Sequence, residues 1–186
     1  VNTNLVGYFI IVLFFTNKFG YIFDLNSLVI ILSAFYIFNF FGKCFLGDNG
    51  VYVICILVSY LIINAINLNS INPIIAINFL WYPAFENLFS IIRRFVSNDK
   101  VDIADKKHLH SILYLFLNKR KSLSKFSNSF AGIIINIYNF FSIFLSFIFI
   151  NNNQILILII IFNIITYLSI YFKLLNNLSN RFVSKI

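Results

Sequence analysis

Charge is what this chain lacks. Charged residues fill 11% of its 186 positions and hydrophobic ones 60%, against about 25% charged in a typical soluble domain. So few charges cannot cover a water-facing surface, which excludes a soluble globule and marks an integral membrane protein. Acids are the scarcer sign, with six Asp and Glu against fourteen Lys and Arg, a formal charge of +8. The two cysteines, Cys44 and Cys55, are too few for a disulfide framework. Cys55 lies inside an apolar run, where a packing role is expected. Methionine is absent, position 1 included, so the expectation is a fragment or a processed chain. The start lacks the basic n-region of a secretory signal peptide. Alternating ten-residue strands are missing as well, which argues against a membrane barrel.

What is present is a series of apolar runs near the roughly 20 residues that span a bilayer. They cover Leu5–Phe15, Leu25–Phe41, Val51–Asn67, Pro73–Ile92, Phe130–Ile150 and Ile155–Phe172. The first is the weakest, because Asn17 and Lys18 cut it short. Separate spanning segments must satisfy their backbones internally, so helices are expected. The predicted fold is an all-α, polytopic transmembrane bundle of about six spans, a single membrane domain over 1–186 with a basic cytoplasmic loop at 93–129. Threading six spans puts 1–4, 42–50, 93–129 and 173–186 on one side, with thirteen of the fourteen basic residues; Lys18 alone lies opposite. The positive-inside rule makes that side cytoplasmic. The opposite connections, Leu68–Asn72 and Asn151–Asn153, are short and uncharged, as helical hairpins should be. This bias accounts for the +8 without nucleic acid, for which no recognition motif is present; a basic juxtamembrane loop suits anionic lipid headgroups instead.

Three polar stretches interrupt the apolar pattern. Phe41-Gly-Lys-Cys-Phe-Leu-Gly-Asp-Asn-Gly50 places Asp48 at the mouth of the third span. An acid at a membrane edge is a candidate functional residue; alternatively Asp48 or Asn49 caps a helix that starts near Val51, with Gly47 and Gly50 allowing the turn. Within the fourth span, Pro83 is expected to kink or break the helix. Glu86 sits seven residues before Arg93, about 10 Å from the inner end of a helix. Its burial requires a partner, and either an interhelical hydrogen bond, to an Asn for instance, or a role facing substrate or cation would supply one. In the loop, His108 and His110 are the two histidines of the chain, beside Asp105, Lys106 and Lys107. His-x-His on a helix points the rings apart and in an extended loop brings them to one face. With no further His and no Cys cluster, zinc is not expected. Lysines and histidines together suit an anion, a phosphorylated ligand above all.

Three pieces together resemble one family. Lys43-Cys-Phe-Leu-Gly-Asp-Asn-Gly50 is similar to the K-x-F-x-G-D-x-G segment of the polyprenyl-phosphate N-acetylhexosamine-1-phosphate transferases. Pro83, Glu86 and Arg93-Arg94 resemble the P-x-x-[DE]…R-R helix of that family, and Asp105-Lys-Lys-His-Leu-His110 its D-R-x-H-L-H-H loop. Ser111 stands where the family commonly has a third histidine. The resemblance runs through nearly the whole chain but covers only the carboxy-terminal half of the family's ten or eleven spans; its earlier Asp-Asp and N-x-x-D-G motifs have no match. It implies a truncated transferase, with the fragment inactive by itself. By resemblance, Asp48 is the catalytic acid and binds Mg²⁺, while His108, His110, Lys106, Arg93 and Arg94 contact substrate. The implied partners are a UDP-N-acetylhexosamine, polyprenyl (undecaprenyl) phosphate and membrane lipids at the inner face of a bacterial plasma membrane, with room for a homodimer. The implied reaction releases UMP and feeds cell-envelope polysaccharide synthesis. The competing reading is a transporter or channel subunit in which Glu86 and Asp48 line a cation path; it predicts charges spread across the bilayer's depth, whereas the ionisable residues cluster on one side.

Overall fold

The computed structural model describes residues 2–17, 25–97, 107–118 and 126–183. These form an all-α membrane bundle of seven helices: α1 (Asn2–Thr16), α2 (Asn26–Phe40), α3 (Gly47–Asn67), α4 (Pro73–Ser97), α5 (Leu109–Asn118), α6 (Ser127–Ile148) and α7 (Asn153–Val183). Among the described residues, α3, α4, α6 and α7 are long and apolar enough to cross a membrane. The expectation of about six spans is therefore met by four full-length helices and two shorter ones, since α1 and α2 have 15 residues each, about 22 Å at 1.5 Å per residue.

The weakest predicted span is the centre of the bundle. α1 carries no charge between Leu5 and Thr16, so every face of it can be buried. Val6, Tyr8, Phe9, Val12, Leu13 and Phe15 are all inaccessible or nearly so, and α1 packs against α6, α2 and α3. Gly7 permits the closest approach. A Cβ there would fall 2.9 Å from the Tyr36 ring of α2 and closer still to the Asn136 amide of α6.

Pro83 does not break α4, which runs continuously from Pro73 to Ser97. A proline lacks the N–H that would serve the carbonyl four residues earlier, here that of Phe79. The Tyr8 hydroxyl of α1 donates to that Phe79 carbonyl, so a neighbouring helix makes up the bond the proline removed, as hydrocarbon burial demands.

A second polar seam joins α4, α6 and α7. Ser146 Oγ donates to Asn78 Oδ1 at 3.1 Å, Asn163 Nδ2 to Ser142 Oγ at 2.6 Å, and Tyr138 to Asn163 Oδ1 at 2.9 Å. On α6, Ser129, Gly132, Asn136, Asn139, Ser142 and Ser146 are buried at three- and four-residue steps, the small-and-polar stripe by which helices associate in lipid. The two predicted hairpins, α3–α4 and α6–α7, meet at one end of the bundle through Asn72 Nδ2 and Asn153 Oδ1, 2.8 Å apart. Asn72 and Asn152 also cap α4 and α7 by accepting backbone N–H groups.

The stretch expected to be a plain loop holds a helix of its own. In α5, Leu109, Ile112 and Leu117 are buried and the helix packs on α6 and α7. The basic residues at 119–125, together with Lys18, Asp105 and Lys106, lie outside the described residues.

Candidate functional site

The first polar stretch folds differently from its cap reading. Gly42 and Gly47 take positive φ, 71° and 67°, conformations that glycine adopts without a Cβ penalty. Gly47 opens α3, so the helix begins four residues before Val51, and Leu46 occupies the cap position without a side-chain bond. Asp48 therefore sits in the first turn, where the helix dipole favours a carboxylate, and its side chain is exposed. Val51, Cys55, Val58 and Ser59 line a cavity of about 340 Å³. Asp48 precedes Val51 by three residues and Cys55 by seven, so it heads that same helical stripe. Cys55, expected as packing, is a wall of the cavity and a free thiol.

The opposite walls are Leu80, Tyr82, Pro83, Glu86 and Asn87 of α4, Leu5 and Phe9 of α1, and the two histidines. Glu86 is 8% exposed. The partner its burial requires is not an Asn: its Oε1 accepts the Leu109 N–H at 2.8 Å and stands 3.2 Å from His108 Nδ1. The His108 and His110 rings stack 5.6 Å apart at 11°. They share a face because His108 precedes α5 while His110 is its second residue, so the helical divergence never develops. Ser111 Oγ, at the position of the family's third histidine, lies 3.2 Å from His110 Nε2.

Behind this group, Arg93 and Tyr171 secure the segment that carries His108. The Arg93 guanidinium donates to the Lys107 carbonyl and to the Tyr171 hydroxyl, and its carbon sits 5.9 Å from the Tyr171 ring centre. Tyr171 also donates to the Lys107 carbonyl at 3.2 Å. Arg94 is half-buried in the last turn of α4. The Tyr167 and Tyr171 rings stack 6.2 Å apart.

The structure thus brings Glu86, His108 and His110 together on one cavity, with Asp48 at the head of its α3 wall. It engages Arg93 in holding the Lys107 segment. Sequence reading missed Tyr167 and Tyr171, although two tyrosines four apart in a largely apolar helix were a visible sign. It also missed the Val51, Cys55 and Ser59 stripe. Among the described residues, no three His, Cys, Asp or Glu side chains gather to hold a metal. Mg²⁺ ordinarily takes one or two protein carboxylates, with waters and substrate phosphates completing its shell; the exposed carboxylate of Asp48 fits that mode and no all-protein cage.

These features define a polytopic helical membrane protein with a carboxylate–histidine cavity near one end of its bundle. Over 105 residues the chain is 37% identical to a protein of Bacillus subtilis (strain 168) named a probable undecaprenyl-phosphate N-acetylglucosaminyl 1-phosphate transferase, a match covering 52% of this chain and 29% of that relative. The chain therefore spans less than a third of the length of the curated relative it matches. No family model and no solved structure matches it.

Proposed function

We propose that the chain belongs to a membrane transferase that moves a sugar-1-phosphate from a UDP-N-acetylhexosamine to a polyprenyl phosphate such as undecaprenyl phosphate. One observation carries this reading. Two motif-bearing stretches, around Glu86 and His108, lie 22 residues apart in sequence and meet on one cavity, whose α3 wall begins at Val51, three residues after Asp48. The similarity to a transferase of that name supports it.

In the proposed reaction a phosphate oxygen of the lipid attacks the β-phosphorus of the UDP-sugar. The new P–O–P bond forms as the bond from that phosphorus to the bridging oxygen breaks, and the electron pair leaves with UMP. Such a transfer needs positioning and neutralisation of spreading negative charge more than covalent help. Asp48 would hold Mg²⁺ together with the pyrophosphate oxygens, and the ion would supply charge neutralisation. His108 and His110 line the cavity where the phosphates would sit, and Arg93 holds the histidine segment; Lys106 and Arg94 are assigned to substrate by the motif resemblance alone. The thirteen-to-one distribution of basic residues supports a topology in which 42–50, 93–129 and the C-terminal residues face the cytoplasm at a bacterial plasma membrane, where a nucleotide sugar would be available, and the product would enter cell-envelope polysaccharide.

The test is UMP release from UDP-N-acetylglucosamine by membranes carrying the intact gene product, with undecaprenyl phosphate added. Release that depends on both substrates is expected, with Asp48→Asn lowering it by about 10²–10³-fold, the scale of losing a transition-state electrostatic group. No release, or full activity in Asp48→Asn, would overturn the assignment.

A further inference from the structure

Glu86 makes two contacts that no motif explains. Its Oε1 accepts the backbone N–H of Leu109, the first residue of α5, and approaches His108 Nδ1. The His108 carbonyl accepts the Ile112 N–H at 3.0 Å, so His108 is the flanking residue at the start of α5, and Leu109 N–H is one of the donors that a helix start leaves without an intrahelical partner. An acid from the middle of α4 therefore caps α5 and touches the histidine beside that cap through one and the same oxygen.

The chemistry of that oxygen decides the state of the ring. An ionised carboxylate has no proton to give, so the Nδ1 facing it must carry one. Neutral His108 is then held as the Nδ1–H tautomer with the lone pair on Nε2, and a protonated ring gains a counter-charge. This is how buried carboxylates orient working histidines elsewhere.

We infer that Glu86 is a positioning residue that sets the tautomer and ring orientation of His108 while fixing the start of α5, so that the ring, once protonated, donates its Nε2–H to a ligand phosphate. The phosphate part rests on the transferase reading; the tautomer part does not. The groups around His108 are Glu86 and Arg93 of α4, Tyr167 and Tyr171 of α7, Lys107, and the stacked His110 ring, with Asp48 heading the facing α3 wall. Glu86 is the acid among them in direct contact with the imidazole.

Because the chain has two histidines, imidazole ¹⁵N spectra of the labelled full chain in lipid nanodiscs resolve the question directly. Wild type should show His108 as the Nδ1–H form. Glu86→Gln keeps a carbonyl acceptor, so the tautomer should persist. Glu86→Leu should release the ring to the Nε2–H form, with an unchanged far-ultraviolet circular dichroism spectrum reporting an intact fold. An Nε2–H ring in wild type, or an Nδ1–H ring that survives Glu86→Leu, would overturn the inference. In the activity assay, Glu86→Leu should raise KM for the UDP-sugar more than it lowers kcat, and Glu86→Gln, which keeps the acceptor, should stay nearer the wild-type KM. If the spectra behave as stated and no membrane preparation releases UMP, the transferase reading fails and the positioning role stands. If UMP is released and the spectra ignore Glu86, the reverse holds.

Discussion

Removing the Tyr8 hydroxyl should destabilise the bundle only because residue 83 is proline. In wild type the Phe79 carbonyl is served by Tyr8, and it lies in the dry interior, since Phe79 is 0% exposed. Tyr8→Phe removes that donation; losing a buried hydrogen-bond partner costs about 1–3 kcal/mol in a soluble protein. Interhelical hydrogen bonds measured in a membrane protein average nearer 0.6 kcal/mol, so about 1 kcal/mol is expected, roughly a fivefold shift in the folding equilibrium. In a Pro83→Ala background the new amide donates along the helix to the same carbonyl, and Tyr8→Phe should then be nearly neutral. A double-mutant cycle in mixed detergent micelles, with far-ultraviolet circular dichroism following SDS-driven unfolding, gives the coupling as the difference between the two costs. Equal costs in both backgrounds would refute the link between Tyr8 and the proline.

Other consequences are open to measurement. Gly7→Val should loosen the α1–α2–α6 contact by about 1–3 kcal/mol, read in the same unfolding assay, and Gly7→Ala by less. Asn163→Leu removes its bonds to Ser142 and Tyr138 and should cost roughly 0.6–1.7 kcal/mol; a gain in stability would show the seam to be dispensable. Arg93→Ala should speed hydrogen exchange at the His108 and Leu109 amides without altering exchange in α6, whereas uniform acceleration would mean general unfolding.

The helical class was legible because hydropathy reports what lipid tolerates. It says little about depth within a bundle, which is why the poorest span, Leu5–Phe15, became the core: an uncharged helix of 15 residues is at its best surrounded by other helices. α5 escaped notice because basic residues flank it, although Leu109, Ile112 and Leu117 repeat at helical spacing. Around the site, the types of residue were legible and their meeting was not. Glu86 announced that it needed a partner through the cost of its charge, but local spacing cannot reveal that the partner lies 22 residues further on. Pro83 was read as a kink or a break because sequence shows the missing N–H and not the tyrosine 71 residues away from Phe79 that replaces its bond.

The Glu86–Leu109 bond also bears on how the chain is built. Synthesis runs from the amino end, and folding follows that order where it can. When α5 leaves the ribosome, the carboxylate that satisfies its first N–H has already been made, whereas α6 and α7, which cover its apolar side, have not. The acid thus offers the short helix a docking point before its permanent neighbours exist, and His108 reaches its place beside Glu86 before the tyrosines of α7 arrive to close around it.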